Sequence, residues 1–181
     1  LSLGSCSSSG GEAASNGPKD SIVIGATGEP SSLDSADAND LTTFSVQSNL
    51  YDGLIREESD GSLVPGLAES WEYNDDRTEI TFTLREGVKF HNGETMTADD
   101  VVFSFERAME SPSTTRITAS MNKMEKVDDT HVKLTLNYSY GPIEECLAIV
   151  DCSIVSKAAV EADPEGFARN RVGTGPYNFV S

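Results

Sequence analysis

Residues 79–108 read EITFTLREGVKFHNGETMTADDVVFSFERA, and this stretch joins a predicted strand to a predicted helix. From Ile80 to Leu84, apolar residues alternate with threonines, which is typical of a strand with one buried face. The Asn92-Gly93 dipeptide predicts a turn. Thr97 suits a helix N-cap, and two aspartates follow it in the first turn, where the positive helix end favours acidic residues. Apolar residues then recur every three to four positions, so the sequence predicts an amphipathic helix.

The flanking sequence predicts short strands and helices in no regular alternation. The hairpin partner of the strand quoted above is predicted at 69–73, and a turn is predicted at Asp60-Gly61. No internal repeat is visible, and the mixture indicates an α/β (mixed α+β) fold. The other predicted elements are strands at 21–26, 124–127, 132–136 and from 177, helices at 42–54, 143–149 and 157–162, and a turn at 173–176.

The composition indicates a globular chain and disfavours several classes of function. Of its 181 residues, 37% are hydrophobic and 24% are charged. The formal net charge of −17 repels phosphate backbones, so we expect no nucleic-acid partner. No apolar run approaches the roughly 20 residues that span a bilayer. The sequence also lacks the common hydrolase, metalloprotease and nucleotide-binding motifs, so we expect neither an enzyme nor a cofactor.

The N-terminal residues look like the start of a bacterial lipoprotein. Cys6 follows Leu3-Gly4-Ser5, which looks like a lipobox, where a precursor is acylated and cut. Residues 7–20 are rich in Ser, Gly, Ala and Asn and are predicted to form a flexible tether. The chain starts at Leu1 rather than Met, so we expect residues 1–6 to be the end of a signal peptide whose beginning is missing. The alternative is a disordered N-terminus with an incidental thiol.

Five blocks in order then identify a family by resemblance. They resemble the bacterial extracellular solute-binding proteins of family 5, which include oligopeptide-, dipeptide- and nickel-binding proteins. The blocks are YDGLI at 51–55, PGLAESW at 65–71, FTLREGVKFHNG at 82–93, TADDVVFS at 97–104 and GTGPY at 173–177. Most of these residues are expected to be architectural, because turns, a helix cap and a bulky Trp71 anchor a fold without reading a ligand.

The resemblance implies a periplasmic-binding-protein-like type II fold with two lobes that close on a ligand. Only the N-terminal part of that pattern is expected here. In such a protein, residues 21–40 would be the first segment of lobe I, residues 41–168 a smaller α/β subdomain, and residues 169–181 the return into lobe I. The implied function is capture of extracellular peptides as the substrate-binding component of an ABC importer, with the membrane permease as partner.

The resemblance also implies ligand-binding positions in two loops. Asn39, Asp40 and Leu41 fall where family members contact a peptide backbone, and an acidic group there could pair with a peptide amine. In the second loop, Arg116 and Ile117 stand where many peptide binders have an aromatic residue. Arg116 would hold a carboxylate in a fork, or else it is a solvated surface arginine.

Several alternatives stay open at this point. The ligand is predicted to be a peptide, and nickel or another small solute is the alternative, as is a sensory or adhesive lipoprotein without transport. His91 and His131 lack a zinc pattern, and no metal site is predicted. Cys146 and Cys152 would face different sides of one helix, so a disulfide between them requires a break in that helix. We expect a monomer, outside the cytoplasm and lipid-anchored to the cell membrane.

Overall fold

The computed structural model describes residues 25, 28–37, 40–168 and 172–178. Cys6, the tether at 7–20, most of the strand predicted at 21–26 and the end of the chain from 179 lie outside these residues. Asn39 lies outside them as well. Tyr177 and Asn178 are described and do not lie in a strand, so that strand does not begin at 177.

Six strands form two antiparallel sheets in the described part of the chain. Strands β1 (Ile55–Glu57) and β2 (Leu63–Pro65) pair across the turn predicted at Asp60-Gly61. Strands β3 (Ala68–Tyr73), β4 (Glu79–Leu84), β5 (Met121–Lys126) and β6 (His131–Leu136) form the larger sheet in the order β3-β4-β6-β5. The predicted β3–β4 hairpin is confirmed, and the strands predicted at 124–127 and 132–136 are present as the antiparallel pair β5–β6.

The core lies between the larger sheet and one long helix. In β4 and β6, every second residue is buried, and Phe82 and Leu134 are fully enclosed. Helix α2, Ala98–Glu110, lays Val101 and Phe105 on the sheet, and neither has any exposed surface. Burying one such large side chain contributes about 1.5–3 kcal/mol. The alternating strands and the apolar stripe of α2 supply the side chains of this core, so their burial stabilises the packing of helix on sheet.

The predicted cap of α2 is confirmed as a complete capping box. Asp100 N donates to Thr97 Oγ1 at 3.4 Å, and Thr97 N donates to Asp100 Oδ2 at 2.8 Å. The second oxygen of Asp100 accepts from Lys157 N at 2.9 Å. Lys157 is the first residue of a further helix, so one carboxylate fixes the beginnings of two helices.

The remaining helices are short. The segments predicted at 143–149 and 157–162 are confirmed as helices, although the first ends earlier than predicted. A helix at 115–118 was not predicted from the sequence. None of the helices among the described residues has the length and apolar character needed to cross a membrane. The bounds are α1 Leu41–Gln47, α3 Thr115–Thr118, α4 Ile143–Leu147 and α5 Lys157–Ala162, with 3-10 turns at Ser35–Asp37 and Val150–Cys152.

The helix predicted at 42–54 is wrong in its second half, because α1 ends at Gln47. The backbone after α1 bonds to distant segments instead of continuing the helix. The carbonyl of Gly53 accepts from Leu67 N at 2.9 Å, and the carbonyl of Leu54 accepts from both Gly66 N and Ala68 N at 3.1 Å. The carbonyls of Asn49 and Leu50, which a helix reaching residue 54 would need, accept from Tyr177 N and Gly175 N instead, so long-range pairing overrides the local apolar spacing.

The GTGPY block packs against the backbone that follows α1. Gly175 N donates to Leu50 O at 3.0 Å, and Tyr177 N donates to Asn49 O at 3.1 Å. A side chain at 175 would clash, since a Cβ there would lie 2.5 Å from the carbonyl carbon of Leu50. The block therefore lies against Leu50 and Tyr51, which belong to a second hydrophobic cluster together with Val155, Val160 and Phe167.

Candidate functional site

The first predicted ligand loop ends in the N-cap of α1. Asp40 Oδ1 accepts from Thr43 N at 2.9 Å, and its Oδ2 accepts from Thr43 Oγ1 at 2.6 Å and from Ser31 Oγ at 2.5 Å. The bonds from Ser31 and Thr43 lower the pKa of Asp40 to about 2. Asp40 is therefore ionised at any physiological pH, and three of its roughly four acceptor directions are already occupied.

Leu41 and Phe44 present an apolar surface beside this cap. Leu41 is the first residue of α1 and is 83% exposed. Phe44 stands three positions later and is half-buried. Residues three apart on a helix are neighbours, so the two side chains lie next to each other.

The second predicted loop is the short helix α3, and its two predicted site residues point in different directions. Ile117 is only 7% exposed and belongs to the main hydrophobic core. Arg116 has a side chain that is 54% exposed, and its guanidinium carbon lies 5.8 Å from the centre of the Phe44 ring. Arg116 therefore adjoins the apolar surface of α1, whereas Ile117 holds α3 to the sheet.

Hydrogen bonds between loops bring α1 and α3 together. Arg107, in the last turn of α2, forms an ion pair with Asp34 at 2.6 Å. Ser111 Oγ, directly after α2, donates to Ala36 O at 2.6 Å. The segment that leads into α1 is thus bound to the segment that leads into α3, and this fixes the distance between the two helices.

A buried carboxylate completes the group, and sequence reasoning missed it. Asp151 lies in the 3-10 turn after α4, with a side chain that has no exposed surface. Its Oδ2 accepts from an Arg116 Nη at 3.2 Å, and its Oδ1 has no hydrogen-bond partner. Burial raises the pKa of Asp151 to about 6, although the positive charge of Arg116 opposes that shift. The available signal was a lone carboxylate within the apolar run IVDCSIV at 149–155.

We call Leu41, Phe44 and Arg116, with the buried Asp151 behind Arg116, the Arg116 surface. It offers an exposed apolar side chain, an aromatic ring and a guanidinium with donors free to face a ligand. Of the residues predicted from sequence, it unites Leu41 and Arg116, with Asp40 adjoining at the cap. Such a surface suits a small molecule that carries a carboxylate beside apolar groups.

Both histidines contact polar groups of the protein itself. His91 Nε2 lies 2.8 Å from Gly175 O, and its backbone N–H donates to Gly173 O, so this side chain helps to hold the GTGPY block. His131 Nδ1 lies 2.9 Å from a carboxylate oxygen of Asp128. Within the described residues, no three His, Cys, Asp or Glu side chains converge in a way that could hold a metal ion.

Cys146 and Cys152 are both buried free thiols. The helix break that a disulfide between them would need is present, since α4 ends at Leu147. Burial raises the pKa of both thiols, and the nearby Asp151 carboxylate raises that of Cys152 further. Both thiols are therefore protonated and unreactive near neutral pH.

Comparison with known families identifies the chain. Residues 62–181 match the model of the bacterial extracellular solute-binding proteins, family 5 middle region. The chain belongs to this family. The matched region begins at β2 and includes the larger sheet, α3 with Arg116, and Asp151, so the Arg116 surface is built partly from family architecture. Members of the family are binding proteins, and the relatives below are named for what they bind.

Individual relatives bind different small molecules. The chain is 34% identical to the probable D,D-dipeptide-binding periplasmic protein of Escherichia coli K12, over 91% of this chain and 34% of that protein. It is 33% identical to a glutathione-binding protein of Pectobacterium atrosepticum, over 90% and 32%. The solved structure of NikZ from Campylobacter jejuni with Ni(L-His) superposes with a TM-score of 0.80, at 29% identity over 91% and 34%.

The chain therefore spans about a third of the length of the curated relatives it matches. The likeness to the solved binding protein supports the type II fold expected from sequence. The domain boundaries at 40–41 and 168–169 stay predictions.

Proposed function

We propose that this chain is part of the substrate-binding component of an ABC importer, which captures peptides outside the cytoplasm and delivers them to the membrane permease. The observation that carries the proposal is the half-exposed Arg116 side chain, placed against the Phe44 ring next to the exposed Leu41 of the same helix, in a chain of a solute-binding family. Similarity to dipeptide- and glutathione-binding proteins supports a peptide as the ligand class.

The chemistry of the Arg116 surface fits one end of a short peptide. A guanidinium forms two parallel hydrogen bonds with a carboxylate, which fixes both its position and its orientation. Leu41 and Phe44 then offer apolar contact to a neighbouring ligand side chain. Asn39 and Asp40 remain proposed contacts for the peptide backbone. The Arg116 surface covers only one side of a ligand. A second protein surface is needed on the other side, because small-molecule sites bury about 70–90% of the ligand surface.

Replacing Arg116 by alanine is expected to weaken peptide binding by about 10- to 100-fold, because charge-assisted hydrogen bonds contribute about 1.5–3 kcal/mol. The measurement is calorimetric titration of the full-length protein with D-alanyl-D-alanine and with glutathione. For whichever of the two peptides binds, its C-terminal amide is the ligand control. This amide lacks the C-terminal carboxylate that we propose Arg116 binds, so it should bind the wild type and the Arg116→Ala variant equally.

Arg56→Ala is the matched protein control. Arg56 is similarly exposed, with 61% of its side chain accessible, and pairs with Glu58 at 2.6 Å on the other sheet. Its removal should leave peptide affinity unchanged. Equal affinity of the wild type and Arg116→Ala for a carboxylate-bearing peptide would contradict the proposal. Binding of Ni(L-His) but of neither peptide would favour the nickel-complex alternative.

We also propose that the protein is a monomer held at the outer face of the cell membrane by a lipid on Cys6. The lipobox-like sequence before Cys6 and the polar segment after it support the lipid anchor. In a bacterium that expresses the whole precursor, Cys6→Ala is expected to move the protein from the membrane fraction to the soluble fraction. Cys146→Ala is the control and should stay with the membrane. Membrane retention of both variants would refute the anchor.

A further inference from the structure

Asp151 is the least satisfied charged group in the described part of the chain. Its carboxylate is enclosed, one oxygen has only the single bond from Arg116, and the other oxygen has none. Its chain neighbours Cys152, Ser153 and Ile154 are buried as well. Removing a carboxylate from water is costly unless several hydrogen bonds replace the lost ones.

Stability alone does not explain this residue. A buried ion pair seldom stabilises a fold more than apolar side chains of the same size would. Here the two partners are also buried unequally. About half of the Arg116 side chain is exposed to solvent, whereas the Asp151 side chain has no exposed surface. The unequal burial points to a role in which Asp151 serves the exposed partner.

The contacts of Arg116 show what that role would be. The guanidinium has five N–H donors, and one of its nitrogens bonds to Asp151. The Phe44 ring lies 5.8 Å from its central carbon, a distance at which a cation is attracted to an aromatic ring. These two contacts come from different elements, and together they restrict a long side chain that would otherwise rotate freely in solvent.

We propose that Asp151 is a positioning residue that fixes the Arg116 guanidinium with its free donors turned toward the ligand's carboxylate. The proposal rests on the ligand-binding role given to Arg116 above. Because the ion pair forms before the ligand arrives, the ordering cost of the arginine is met in the unbound protein, and the ligand gains the full strength of the fork.

A double-mutant cycle in the full-length protein tests this inference, with D-alanyl-D-alanine as the titrated probe. Asp151→Ala is expected to weaken binding by about 3- to 10-fold, which corresponds to the cost of immobilising one long side chain. In an Arg116→Ala background the same change should have no effect on affinity. A merely structural Asp151 would lower affinity by a similar factor in both backgrounds.

The pH dependence of affinity is the second readout. Above pH 6 Asp151 is ionised and holds Arg116, and below pH 6 it is neutral, so wild-type affinity for the dipeptide should fall as the pH drops from 7.5 to 5. Asp151→Asn should remove this dependence. The groups around Asp151 have other partners or keep their protons. Cys146 and Cys152 stay protonated throughout this range, and Arg107 of helix α2 is paired with Asp34.

The outcomes separate the two proposals. If Arg116→Ala leaves dipeptide affinity unchanged, the proposed function fails. If Arg116→Ala weakens binding but Asp151→Ala does not, the positioning inference alone fails. If the dipeptide does not bind the wild type, crystal structures of the unliganded wild type and Asp151→Ala decide. An Arg116 guanidinium that stays ordered in the same place without Asp151 would overturn the inference.

Discussion

Alanine in place of Gly175 is expected to destabilise the protein by about 3 kcal/mol or more, the upper range for overpacking a tight site. The added Cβ would lie 2.5 Å from the carbonyl carbon of Leu50, 2.7 Å from the nitrogen of Tyr51 and 2.8 Å from the carbonyl oxygen of Asn49. All three atoms belong to the backbone, so no side-chain rotation relieves the clash. The hydrogen bond from Gly175 N to Leu50 O would be lost as the two backbone segments move apart.

Urea-induced unfolding of the full-length protein measures this effect as a shift in midpoint. Gly141→Ala is the matched control, since a Cβ at position 141 would meet no atom within 4 Å. It is expected to leave the midpoint almost unchanged. The same midpoint for both variants would mean that the GTGPY block does not pack on residues 49–51 as described.

Removing the Phe105 ring is expected to cost about 3–5 kcal/mol, the usual range for truncating a fully buried phenylalanine to alanine. Phe105 has no exposed surface and lies in the core cluster between α2 and the larger sheet. Its loss leaves a cavity that the rigid sheet cannot fill. Thermal unfolding followed by circular dichroism is the measurement.

Phe103→Ala makes the same chemical change on the same helix. Phe103 is only half-buried, and the charged ends of Arg107 and Lys157 lie within 6 Å of its ring. Its truncation should cost clearly less, about 1–2 kcal/mol, because water already reaches part of the ring. Equal losses from the two variants would contradict the orientation of α2 on the sheet.

The elements set by local chemistry were predictable from the sequence. Thr97 and Asp100 satisfy each other's backbone within three residues, so the start of α2 needs no distant partner. The β3–β4 hairpin is equally local, since the Asn74 side chain accepts from Thr78 N and Glu79 N inside its own turn. In both places the residues that form the signal also make the bonds.

The end of α1 was not predictable in the same way. Apolar spacing continues to Leu54, but five carbonyls in this stretch accept from segments that follow later in the chain, namely those of Asn49, Leu50, Asp52, Gly53 and Leu54. No local pattern announces a partner so distant. The competing bonds end the helix at Gln47, whereas the apolar spacing alone predicts a helix to residue 54.

The candidate site was predictable only in its exposed part. Arg116 and Leu41 were predicted because the resemblance assigns ligand contacts to their loops. Ile117 shares that loop, but its side chain faces the core, and helix α3 was needed to separate the two directions. Asp151 stands 35 residues after Arg116, and only the packing of a 3-10 turn against α3 brings the two charges together.

The chain segment that precedes the two sheets and the segment that follows α5 lie side by side. The Tyr51 hydroxyl donates to Leu33 O at 2.9 Å, and the residues around Gly175 lie on the adjoining backbone at positions 49–51. A stretch of chain that leaves and returns through a single point can be gained, lost or exchanged by recombination without tearing the host fold. The same closeness makes the backbone beside Tyr51 the place for the joints if the sheet and α2 are grafted into another protein, and the graft must also keep Asp34 and Ala36, which bind Arg107 and Ser111.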